Sequence, residues 1–113
     1  MKYTVLKKTA IEYFQSAEDQ LNKNRFNSAV VLYFKSLVAL VDLFILQKIE
    51  TTVSSHNKRF KLTKKRFPEI YNLLDKDFPF YQDSYVHIMS KELALVIKDD
   101  AQTMAKKTKI ELF

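Results

Sequence analysis

Residues 29–46, AVVLYFKSLVALVDLFIL, decide the fold: among these eighteen positions only Lys35 and Asp42 carry charge. The run is helix-length, holds neither Gly nor Pro, and is apolar on nearly every face, so it reads as a helix enclosed by other helices. With its flanking residues it predicts a central apolar helix over about 25–48. Lys35 and Asp42 lie seven positions apart and therefore on one side of that helix. They mark either its solvent-facing edge or a polar contact across a subunit interface. A bilayer centre would tolerate these two charges poorly, and the start MKYTVLKK lacks the apolar core of a secretory signal. No membrane is expected, and a cytoplasmic location is.

Working outward, Leu6, Ala10, Tyr13, Phe14, Ala17 and Leu21 recur at spacings of three and four, which predicts an amphipathic first helix. NKNRFNS, residues 22–28, gathers residues that compete for backbone hydrogen bonds, so the chain should reverse there, with Asn24 or Asn27 capping the central helix. That helix should run out at residues 48–51. After a connection, NKRFKLTKKRF (57–67) places Phe60, Thr63 and Phe67 on one helical face and the basic residues on the remainder. Pro68 suits the first turn of a short helix, PEIYNLLDK, followed by an aromatic corner of Phe78, Phe80, Tyr81 and Tyr85 around Pro79. Ser90 can cap a last helix whose buried stripe is Leu93 or Ala94, Ile97, Ala101, Met104 and Thr108. The expectation is one all-α domain, residues 1–113, built as an antiparallel bundle of four to five helices.

Composition removes several chemistries. The chain has no cysteine, hence no disulfide, thiolate ligand or cysteine nucleophile, and two histidines far apart make a histidine-rich metal site improbable. With no glycine, neither a phosphate-binding loop nor a dinucleotide fingerprint can be present. No cofactor and no metal are expected.

The charge is concentrated. Of 19 basic and 13 acidic residues, six basic ones, Lys58, Arg59, Lys61, Lys64, Lys65 and Arg66, fall in a nine-residue window without an acid. Outside it 13 basic residues face 13 acidic ones, so this segment carries the whole excess. Beside Ser54, Ser55, His56 and Asn57, it is what a phosphate-rich partner would need, or else a solvated face that keeps the protein dispersed. Nothing indicates sequence-specific base reading. His56 is the side chain best suited to moving protons near neutral pH. Glu50, Lys58 and Arg59 are its nearest charged neighbours in the chain, and a role as cap or interface residue competes with catalysis. His87, in YVHIM, reads as structural.

The chain resembles the HEPN family of small all-α bacterial and archaeal domains. The resemblance lies in RFNSAVVLYFKSLVALVD (25–42), Ser-Ser-His-Asn (54–57) and the tail from Tyr85 through KELALVIKDDAQTM (91–104). It implies a bundle of four or five helices, commonly a homodimer. Members include metal-independent ribonucleases and partners of nucleotidyltransferases in toxin–antitoxin pairs. The ribonucleases carry an Arg, then four to six intervening residues, then a His. Before His56 those places hold Ile49, Glu50 and Thr51, and before His87 they hold Phe80, Tyr81 and Gln82. Losing that arginine removes the electrostatic half of the mechanism. The expectation is therefore a non-catalytic, homodimeric module that binds RNA or a nucleotide-bearing partner through residues 58–66. The alternatives are a degenerate ribonuclease in which His56 works with Arg59, and a protein-only partner of a nucleotidyltransferase.

Overall fold

The computed structural model describes residues 2–113. Five helices follow one another: α1 (Lys2–Asn22), α2 (Phe26–Ile49), α3 (His56–Arg66), α4 (Pro68–Asp83) and α5 (Lys91–Thr108). Among the described residues there is no strand. α2 is the axis of the bundle. It packs along α1 and α5 and touches α4, while α3 lies mainly against α4.

The all-round apolarity of α2 has its cause in this arrangement. Tyr33, Phe34, Leu37, Leu40, Leu43 and Ile45 point different ways around the helix, yet each is buried, because neighbours close on it from several sides. By length and composition the helix could cross a membrane, but 67% of its apolar window is covered by the rest of the chain. Ala10, Phe14, Ala17 and Leu21 of α1 and Ala94, Ile97, Ala101, Met104 and Thr108 of α5 supply the facing stripes. A node of polar contacts joins all three helices: the Tyr33 hydroxyl donates to Glu18 Oε1 at 2.7 Å, and Lys98 Nζ reaches the same oxygen at 2.8 Å.

Without glycine, helix ends need other residues in the left-handed region. Asn24 (φ 56°), Glu50 (φ 55°) and Lys109 (φ 61°) end α1, α2 and α5 in this way, each at about 1–2 kcal/mol of backbone strain for a residue other than glycine.

Three expectations change. Neither Asn24 nor Asn27 caps α2: Arg25 occupies the cap without a side-chain bond. Asn27 instead pins the α4–α5 connection, its Nδ2 donating to the carbonyls of Ser84 (2.8 Å) and His87 (2.7 Å) while its Oδ1 accepts from Met89 N–H (2.9 Å). The helix that begins at Pro68 does not stop near residue 76 but continues through Pro79 to Asp83. The proline denies a donor only to the carbonyl of Asp75, an exposed residue that water can serve. The predicted aromatic corner is thus mostly helical, held by rings on one side, with Tyr81 stacked on Phe34 of α2 at a centroid distance of 4.7 Å. The caps read from sequence at the other end are present: Ser90 accepts from Leu93 N–H, and Pro68 opens α4.

Candidate functional site

Where α1, α2, the start of α3 and α4 meet, they leave a cleft of about 300 Å³. Tyr13, Lys35, Ser54, His56 and Tyr81 line it, with Asp42 and Arg59 at its floor. Helical spacing explains the convergence. Lys35 and Asp42 share one side of α2, and His56 and Arg59 are three apart on α3, so each helix brings two polar groups to the same place. Ser55 starts α3 there by accepting the Lys58 N–H, which fixes the direction in which His56 leaves the helix.

The floor is a buried ion pair. Arg59 Nε donates to Asp42 Oδ1 at 2.6 Å and Nη2 to Oδ2 at 2.8 Å, with the two side chains 7% and 11% exposed. This bidentate fork satisfies both carboxylate oxygens, the condition under which burying two charges becomes tolerable. Asp42 is therefore neither a solvent-facing edge nor a contact to another subunit. Lys35 alone keeps the exposed role, with its Nζ 5.9 Å from the Tyr13 ring centroid.

Arg59 also hands on an orientation. Its Nη1 lies 3.1 Å from His56 Nδ1. A guanidinium can only donate, so Nδ1 accepts and the neutral ring carries its proton on Nε2. His56 is exposed overall, but partial desolvation beside Phe34 and Phe78 holds the imidazole below its ordinary pKa, the Arg59 charge adds to this, and Asp42 partly opposes it. In this arrangement His56 offers a hydrogen-bond donor, whereas a general base would need a free lone pair. Arg59, almost fully buried, with Nε and Nη2 bonded to Asp42 and Nη1 to His56, presents little of its guanidinium to the cleft.

The basic segment divides accordingly. Lys58, Lys61, Lys64, Lys65 and Arg66 are exposed and have no acidic partner within ion-pair distance among the described residues. Lys58, Lys61 and Lys65 fall on one outer stripe, and Lys64 leans over the Tyr71 ring at 5.7 Å. Arg59 faces inward, on the side of Thr63. The sequence expectation put Arg59 on the polar remainder of the helix with the other cations, although it stands four residues before Thr63 and so shares its side. The available signal was Asp42, a carboxylate on an otherwise apolar helix that had to find a cation. His87 is exposed at the far loop, away from the cleft, and contributes a backbone carbonyl. Among the described residues no three His, Asp or Glu side chains converge as metal ligands.

The chain matches none of the protein-family models, curated proteins or solved structures with which it was compared. The HEPN resemblance accordingly rests on the residues quoted for it.

Proposed function

We propose that this protein is a non-catalytic, HEPN-like cytoplasmic module that binds RNA through the phosphate backbone. The exposed cations of α3 track the strand, and the adjoining cleft receives one phosphate-bearing unit between Lys35 and the His56 N–H. The observation that carries this reading is the outer face of α3, where the exposed cations lack acidic partners and remain available for phosphates. The locked geometry of Arg59 and His56 supports binding over cleavage, since neither the cation nor the base of the ribonuclease pair is available. Pairing with a second copy and association with a nucleotidyltransferase carry over from the resemblance alone; sedimentation at micromolar concentration reads the first.

Fluorescence anisotropy with a generic single-stranded RNA at two salt concentrations tests the proposal. Binding should weaken with a log–log salt slope of about −0.7 per phosphate neutralised. Charge reversal at Lys58, Lys61 and Lys65 together should remove it. Absence of binding at low salt, or binding indifferent to the triple reversal, would overturn the reading. Labelled RNA cut in the presence of chelator, with the cutting lost in His56→Ala, would replace it with the degenerate ribonuclease.

A further inference from the structure

The buried stripe of α4 runs Ile70, Leu74, Asp77, the i, i+4, i+7 positions that in an amphipathic helix hold apolar side chains. The third member is an aspartate with no solvent exposure, and among the described residues neither of its carboxyl oxygens has a hydrogen-bond partner. Asp100 of α5, itself almost fully buried, stands beside the same ammonium as Asp77, that of Lys76. Lys76 Nζ lies 2.9 Å from Asp100 Oδ2, an ion-pair contact rather than a well-aligned hydrogen bond, and 3.9 Å from Asp77 Oδ1.

Two buried carboxylates against one half-exposed ammonium would leave an uncompensated negative charge and orphaned acceptors, a costly state. A single proton between the carboxyls removes both faults, because a protonated carboxyl becomes a donor to the other. Among the described residues no other charge is placed to do so. On α2, which packs on both helices, Lys35 is at the cleft, Asp42 is held by Arg59, and Lys48 lies over the Phe44 ring. The basic residues of α3 make no ion pair with either carboxyl, and on α5 Lys98 is engaged by Glu18 and Lys107 by Glu69. Asp99, next to Asp100, adds only further negative charge near Lys76.

We propose that Asp77 and Asp100 form a proton-dependent latch. With one shared proton they hold α4 on α5. Without it α4 loosens, drawing Phe78 and Tyr81 away from His56 and Phe34. Past Leu74, Asp77 is the one fully buried side chain of α4, so the later turns of the helix depend on it. Those turns carry Tyr81, which lines the cleft 4.7 Å from Phe34, and Phe78, which backs the His56 ring at 5.2 Å. The latch thereby couples the cleft's shape to pH, and it does so whether or not the cleft receives RNA.

Burial, then the hydrogen bond that a protonated carboxyl makes with Asp100, and the charge of Asp100, push the Asp77 carboxyl up to about 8, with Lys76 opposing. The closed state therefore retains a proton that the opened state gives up to solvent above the ordinary carboxyl range. Latch stability is full at acid pH, falls as pH rises, and is lost through the closed-state value.

Hydrogen–deuterium exchange on the full chain, corrected for the intrinsic pH dependence of exchange, tests this. Opening of residues 75–83 should rise about tenfold per pH unit between pH 5 and 7 and level off above about pH 8, while α1 stays protected. Asp77→Asn should flatten that dependence. Should this variant fail to fold, Asp100→Asn should flatten it too, and carboxyl NMR of the unaltered protein should show one of the pair titrating far above its exposed counterparts. A pH-independent α4, a dependence unchanged in the variants, or both carboxyls titrating below pH 5 would each overturn the latch.

Discussion

Two buried charge clusters sit at opposite ends of the same problem. At the cleft, Asp42 meets Arg59, and every carboxylate oxygen is bonded. Between α4 and α5, Asp77 and Asp100 stand beside one ammonium, and three of their four oxygens are fully buried without a hydrogen bond among the described residues. The first cluster neutralises its charge with an opposite charge and makes a rigid brace between α2 and α3. The second can neutralise its charge only with a proton, which leaves a joint that responds to the solution. A buried carboxylate is thus a structural strut or a titratable hinge according to what the neighbouring helix presents to it.

The largest effect tests the strut. Arg59→Ala should destabilise the fold by about 3–5 kcal/mol, because Asp42 is left buried and unpaired. Urea denaturation measures this. The double change Asp42→Leu with Arg59→Met should recover much of the loss. A cost of about 0.5 kcal/mol or less for Arg59→Ala, the range of surface substitutions, would erase the distinction between this pair and the exposed lysines of α3.

Next comes the hinge. Thermal midpoints of the unaltered protein should fall between pH 5 and pH 8, since the folded state keeps a proton on the Asp77–Asp100 pair that the unfolded chain releases. That slope should persist in the Asp42→Leu, Arg59→Met double variant and vanish in Asp77→Asn. A slope that follows Arg59 instead would reverse the roles assigned to the two clusters.

The smallest effect is local. Arg59→Met removes a positive charge from beside His56 while Asp42 remains, so the imidazole pKa should move up relative to the unaltered protein. Histidine NMR titration reads it, and an unmoved His56 would mean that Arg59 does not set the state of the ring.

Much of the fold was legible because it depends on period alone. The stripes of α1 and α5 and the all-round apolarity of α2 follow from side-chain spacing, and the core takes most of the positions these predicted, with Leu6 at its edge and Tyr13 on the cleft instead. The continuation of α4 through Pro79 was not legible, since a proline ordinarily argues for a break; stacking of Tyr81 on Phe34 outweighs one missing donor. The candidate site was half legible. His56 and the exposed lysines were singled out by residue type, but Arg59 was grouped with cations from which it is physically separated. Asp77 went unnoticed although Ile70, Leu74 and Asp77 have helical spacing, because an aspartate is read as surface unless its place in that stripe is weighed first.

By itself the sequence determined the helical class, the central position of residues 29–46, the absence of thiol and glycine-loop chemistry, and the placement of the excess charge in one segment, since these depend on composition and on periods of three to four residues. Only the tertiary structure decided which charges face water and which face each other. Asp42 and Arg59 are 17 residues apart in the chain, and Asp77 and Asp100 lie on different helices. Whether such groups become a brace, a latch or a binding surface depends on distances of a few ångströms across helix contacts, which no local pattern encodes.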